Sequence, residues 1–165
     1  MQLAAFNALN RGDAVAALRP CLDVDRWLEQ VADARPFPSL QALMDVARTT
    51  ANPFTNAEVQ QALSHHPRIG ERPTAKSAEA SMSRSEQAGV DPADVEVARE
   101  LAEGNRQYEE KFGQVFLIRA AGRTASEILA ALRQRLTHTP DQEQAIIAQQ
   151  LREIAVLRVE GVISE

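Results

Sequence analysis

Along the C-terminal segment Ile147, Leu151 and Ile154 recur at spacings of four and three, which puts them on one face of a helix. Leu101, Tyr108 and Phe112 repeat the pattern upstream. Polar residues between such stripes carry start signals. Thr55-x-x-Glu58, Ser83-x-x-Glu86 and Thr124-x-x-Glu127 each set a hydroxyl three residues before an acid, an arrangement that satisfies the free N–H groups of a first helical turn. Asp91-Pro92 and Thr139-Pro140 place proline directly after a cap, where its missing donor costs nothing. Shorter helices are predicted over Leu3 to Leu9, Ala14 to Arg19, Asp25 to Ala34 and Leu40 to Thr50, separated by Gly12, Pro20 and the Pro36-Phe37-Pro38 turn. The expected fold is all-α, a single compact domain over residues 1–165 with about eight or nine helices. Between the long helix ending at Gly113 and the one starting at Thr124 lies Val115-Phe116-Leu117-Ile118, apolar but too short for a helix and without a partner strand. It is predicted to be a buried extended segment. Glu71 to Ser81 is polar and open to motion.

Three polar residues break the pattern. Arg158 is the next position on the Ile147–Leu151–Ile154 stripe, and a rotation of about 100° per residue puts it near the centre of the apolar face. Either it snorkels to water or caps the last carbonyls of its own helix, or it binds an anion from inside. Asn105 shares the face of Leu101, Tyr108 and Phe112. A buried amide needs partners, so the expected role is to tie down a neighbouring loop. Glu86 either completes a capping box with Ser83, or belongs to a helix start that turns its N–H groups toward a polar ligand.

Composition narrows the functional classes. With 44% hydrophobic and 25% charged residues the chain is an ordinary globular protein, and only 4% aromatics favours helix over strand. A formal charge of −5 and a pI near 5.3 argue against nucleic acid or an anionic membrane as main partner, since both require a basic surface. Any anion site must be local. The single cysteine, Cys21, has no internal disulfide partner and reads as a small core residue in a reducing compartment. No secretory signal or bilayer-spanning stretch is evident, and Ile163-Ser164-Glu165 is not a peroxisomal address, so the expected location is the cytoplasm.

Candidate chemistry concentrates in SHHPRIGERP, Ser64 to Pro73, which holds two of the three histidines. With only His138 and Cys21 as further soft ligands, no spacing resembles a zinc site. Pro67 fixes its own φ and pushes His66 toward an extended conformation, so the His66 imidazole is held in a defined direction. A stiff mount suits an acid–base group, and imidazole works near neutral pH. A structural hydrogen-bonding role fits the same features.

Taken together and in order, FNALN at the start, C-x5-W from Cys21 to Trp27, RPF at Arg35, HPRIG from His66, S-x-x-E-Q from Ser83, N-x-x-Y-x-x-K-F-G from Asn105, FLI from Phe116, GR-x-x-x-E-I-L from Gly122 and LR at Leu157 resemble the 2-oxo-4-hydroxy-4-carboxy-5-ureidoimidazoline (OHCU) decarboxylase family of uric acid degradation. The resemblance runs almost end to end. It implies an all-helical domain, commonly a homodimer, that converts the product of 5-hydroxyisourate hydrolysis to (S)-allantoin with no metal or organic cofactor. By the same resemblance His66 is the catalytic histidine, with Pro67 following it at the substrate and Glu86 beside the ligand and that histidine. Ser83, Arg84, Ser85 and Gln87, and the segment Phe116, Leu117, Ile118, Arg119 and Ala120, match the two stretches lining the pocket, partly through main-chain groups. Arg158 matches the arginine that holds the polar substrate.

The chain departs from the family pattern at Arg68, where an acid is frequent, at Arg119, where a small residue or cysteine is common, and at His138, where Asn is frequent. His65 has no role carried over and is treated as a neighbour of His66. Two other readings remain open at this point: a non-catalytic helical interaction domain, and a lyase or hydrolase acting on another ureide.

Overall fold

Side-chain caps decide where most of the helices start. A computed structural model describes residues 1–71, 73–90 and 93–165. Among them are nine α-helices, a single 3₁₀ turn at Ala88–Val90 and no strand, in agreement with the all-α expectation. No helix among the described residues is long and apolar enough to cross a membrane.

By their internal contacts the residues form two compact units. The first comprises Met1–Ala62 and Leu151–Glu165. It holds α1 (Leu3–Ala8), α2 (Arg11–Leu18), α3 (Asp25–Asp33), α4 (Leu40–Thr49), most of α5 (Asn56–Leu63) and the later part of α9 (Pro140–Val162). Helix α2 starts three residues before the predicted Ala14, because Asn10 caps it by accepting from the Asp13 N–H, so Gly12 lies within the helix rather than ahead of it. Ser39 caps α4 in the same way, and Thr55 and Glu58 form the predicted box at the start of α5, with Glu58 Oε2 accepting from the Thr55 N–H at 2.7 Å.

The core of this unit includes Phe6, Leu18, Trp27, Leu28 and Leu43, and Cys21 is buried in it as expected. Trp27 donates its indole N–H to the Ala47 carbonyl, 2.9 Å, tying α3 to α4. Two of the sequence motifs turn out to be structural partners. Asn7 exchanges two hydrogen bonds of 2.9 Å with the backbone of Phe37, and Arg35 donates to the carbonyls of Ala32, Phe6 and Leu9 while lying over the Phe6 ring. FNALN and RPF therefore fasten the Arg35–Phe37 turn onto α1.

The second unit is Leu63–Gln150, with α6 (Ala78–Glu86), α7 (Val95–Phe112), α8 (Ala125–Arg135) and the beginning of α9. Helix α7 is capped by Asp94; the predicted Asp91-Pro92 start lies outside the described residues. It ends at Gly113, whose φ of +69° is the left-handed C-cap conformation that glycine adopts without penalty. Helices α7 and α8 pack closely at Gly104, where a Cβ would meet Leu132 Cδ2 at 2.5 Å. Thr124 with Glu127, and Thr139 with Gln142, form reciprocal caps for α8 and α9, the latter opening on Pro140 as predicted.

Candidate active site

After α5 the chain turns sharply, the His66 N–H donating to the Leu63 carbonyl at 3.0 Å, and enters the segment His66–Glu71. His66 and Pro67 are half-buried, Ile69 is buried, and Gly70 takes a φ of +89°. Side chains from two helices fasten this loop just past the histidine. From α7, Asn105 Nδ2 donates to the Ile69 carbonyl at 2.9 Å, which is the loop-tying role expected of a buried amide. Glu109, one turn on, receives Arg68 in a fork at 2.5 and 3.1 Å. From the end of α6, Gln87 Oε1 accepts from the Gly70 N–H at 3.0 Å and Gln87 Nε2 donates to the Glu71 carbonyl. Arg68, a departure from the family pattern, is thus accounted for by Glu109. His65 is exposed beside this arrangement.

The predicted helix start at Ser83 is overturned. Ser77 is the cap, accepting from the Ala80 N–H at 3.1 Å, so α6 begins at Ala78 and Ser83 is an interior, buried residue. Glu86 is the last residue of the helix and Gln87 its C-cap, the Gln87 N–H donating to the Ser83 carbonyl. The Ser83-x-x-Glu86 spacing misled because Ser77 lacks the acid three residues later, yet a serine alone suffices to cap. With the true start six residues earlier, 83–87 presents a helix C-terminus, and both the capping-box reading and the first-turn donor reading of Glu86 fall. What remains is an acid where the macrodipole disfavours negative charge, so helix stability does not explain it. Arg84 turns to the carbonyls of Pro73 and Ala75, at 3.0 and 2.9 Å, and Ser85 is exposed.

The segment following α7 is neither helix nor strand and is largely buried: Phe116, Leu117, Ile118 and Ala120 are each 5% exposed or less, and Val115 is half-buried. Side chains take the place of a neighbouring strand. Arg135, from α8, donates to the Leu117 carbonyl at 2.6 Å, and Gln150 Oε1, from α9, accepts from the Arg119 N–H at 2.8 Å. Arg135 also pairs with the fully buried Glu143 at 2.8 Å and lies 4.5 Å over the Phe116 ring. Glu143 further accepts from the Tyr108 hydroxyl at 2.6 Å and meets His138 Nδ1 at 2.9 Å. Burial first, and the Glu143 bond second, push the Tyr108 phenol far above its usual range, so it remains a neutral donor. His138, which carries no role from the resemblance, stands in this network through its Nδ1.

Neither Arg135 nor Glu143 was singled out in the sequence, although the signal was present. Glu143 lies one turn before Ile147 on the stripe that exposed Arg158, and Arg135 ends the Ile128, Leu132 stripe of α8 at spacings of four and three.

In the first unit Arg158 is buried, 5% exposed, with its Nη1 3.3 Å from the Pro20 carbonyl. Burial excludes the snorkelling reading. In the second unit a cleft of about 300 Å³ is lined by Arg68, Ile69 and Gly70 of the histidine loop and by Leu101, Asn105 and Glu109 of α7. It contains none of the residues expected at the substrate.

Comparison with known proteins adds the family. Residues 7–160 match the sequence profile of OHCU decarboxylase. The chain is 32% identical over 148 residues to the uric acid degradation bifunctional protein TTL of Arabidopsis thaliana, covering 88% of this chain and 46% of that protein. It is 34% identical over 100 residues to the 2-oxo-4-hydroxy-4-carboxy-5-ureidoimidazoline decarboxylase of Amia calva, covering 59% of this chain and 57% of the relative. The chain thus spans about half the length of these relatives. A crystal structure of OHCU decarboxylase in the presence of (S)-allantoin superposes with a TM-score of 0.71 at 29% identity, covering 87% of this chain and 94% of the other. A profile match over nearly the whole sequence, with HPRIG on its fastened loop, shows that this chain belongs to the OHCU decarboxylase family.

Proposed function

We propose that the chain decarboxylates 2-oxo-4-hydroxy-4-carboxy-5-ureidoimidazoline to (S)-allantoin in urate catabolism, without a cofactor, as a cytoplasmic homodimer. The observation that carries this reading is the histidine loop. Its position 66 imidazole is mounted between a closed turn and a proline, and the following residues are fastened to the end of the helix that carries Glu86.

In the reaction the bond between ring carbon and carboxylate breaks, the electron pair enters the adjacent ring C=N, and carbon dioxide leaves. A proton then adds at the neighbouring, ureido-bearing carbon, the stereocentre of allantoin, while the hydroxyl proton of the former carboxylate carbon passes to the ring nitrogen and leaves a carbonyl. The substrate supplies its own electron sink, so the protein's task is to orient the carboxylate out of the ring plane and to deliver the proton from one side. His66 performs both, and Glu86 holds its tautomer by accepting from the second ring nitrogen. Delivery from one side accounts for a single allantoin enantiomer. Pro67 and the stretches Ser83–Gln87 and Phe116–Ala120 form walls around the substrate. Arg158 holds its ureido or carbonyl oxygens with a fork of donors.

The test generates the substrate from urate with its oxidase and 5-hydroxyisourate hydrolase and follows circular dichroism. Spontaneous decay gives racemic allantoin and no signal. The purified chain is expected to produce the (S) signal rapidly; an unaltered, racemic decay would remove the proposed activity.

A further inference from the structure

We infer that Arg135 and Glu143 are positioning residues that peg the main chain of the Phe116–Ala120 wall, an inference that rests on the proposed function. This wall has no strand beside it among the described residues, and an extended segment of unpaired peptide groups would not keep one register. Two side chains fix it instead: Arg135 holds the carbonyl of Leu117 and Gln150 holds the N–H of Arg119.

Arg135 is itself locked. Its Nε is on Glu143, its Nη1 on the wall, and its face on the Phe116 ring, which meets Tyr108 edge-on at 5.3 Å. Glu143 is held by Tyr108 and His138. A buried ion pair is poor as a source of stability, because apolar residues of similar volume serve as well. What this one supplies that apolar residues cannot is a charged donor aimed at a single backbone carbonyl of the wall. A substrate bound partly through main-chain groups needs those groups held in fixed geometry before it arrives.

The test compares the unsubstituted chain with a variant carrying Arg135→Met and Glu143→Gln together, which strands no buried charge, and with Gln150→Ala, which removes the second peg and leaves the ion pair intact. Hydrogen–deuterium exchange of peptides covering 115–121 is read beside KM and kcat. Both variants are expected to exchange faster in that segment and not in the histidine loop, and to raise KM roughly tenfold, the effect of about one lost hydrogen bond, with kcat little changed. A loss of folded protein alone lowers apparent kcat and leaves KM where it was. Should the double variant fail to fold, Arg135→Lys, which keeps a cation opposite Glu143 but not the forked reach to the Leu117 carbonyl, decides by the same two readouts. Unchanged exchange at 115–121 would overturn the pegging. Faster exchange with an unchanged KM would leave the network a purely structural one and overturn its part in substrate binding. Absence of turnover by the unsubstituted chain would overturn the proposed function and the kinetic half of this inference together, while the exchange result still decides the pegging.

Discussion

His66→Ala is expected to lower kcat by a factor on the order of 10² to 10⁴, the usual worth of a positioned acid–base group, while far-UV circular dichroism stays helical. Near-normal turnover in this variant would take His66 out of the mechanism. Arg158→Gln should act differently, raising KM by roughly tenfold or more through loss of charge-assisted hydrogen bonds; an unchanged KM would count against its contact with substrate. These residues were legible for distinct physical reasons. Arg158 stood out because a cation on an apolar stripe is rare enough to need a cause, and its burial bears that out. His66 stood out through the proline that follows it. Glu143 and Arg135 obey the same stripe logic but lie near helix ends, where a charged residue attracts no notice until burial is known.

Among the elements, the reciprocal caps at Thr55 and Thr124 and the Thr139 cap before Pro140 were readable because hydroxyl and partner both lie in the local sequence. The start of α6 was not, since Ser77 and Ser83 are both competent caps and tertiary packing chose between them. The cap on α5 has a pH signature. Arg26 chiefly, with help from Thr55, holds the Glu58 carboxyl at about 2, below its ordinary 4.5. The folded state therefore takes up that proton less readily than the unfolded chain, and the stabilisation is in place above about pH 4.5 and lost as pH falls toward 2. Because Arg26 is 39% exposed, solvent screening limits the contribution to about 1 kcal/mol. Glu58→Gln should lower Tm at neutral pH and shrink the loss of Tm between those pH values; an acid limb identical to the parent's would contradict this. Gly104 poses a contest of magnitudes. Alanine there gains about 1 kcal/mol of helix propensity but forces Leu132, which is fully buried, to move at a typical cost of 1–3 kcal/mol. Gly104→Ala is expected to destabilise by about 1 kcal/mol in a denaturant titration, and a stabilised variant would show that Leu132 repacks freely.

Across the molecule, the borders of the two compact units fall inside α5 and α9, so no linker or change of composition marks them in the sequence. The histidine loop, its fastenings from α6 and α7, and the pegged wall all belong to Leu63–Gln150. Helical class and element order could be read from periodicity and caps, whereas this grouping depends on which stripes meet, and the contacts of Asn105 with Ile69 and of Arg135 with Leu117 join residues far apart in the chain. The most direct measurement is a crystal structure of this chain with (S)-allantoin. Allantoin is predicted to seat against the imidazole that precedes Pro67, with the Glu86 carboxylate beside both the ligand and that ring and main-chain groups of 117–120 facing the ligand. Allantoin bound away from His66, or Glu86 directed elsewhere with the ligand in place, would contradict it.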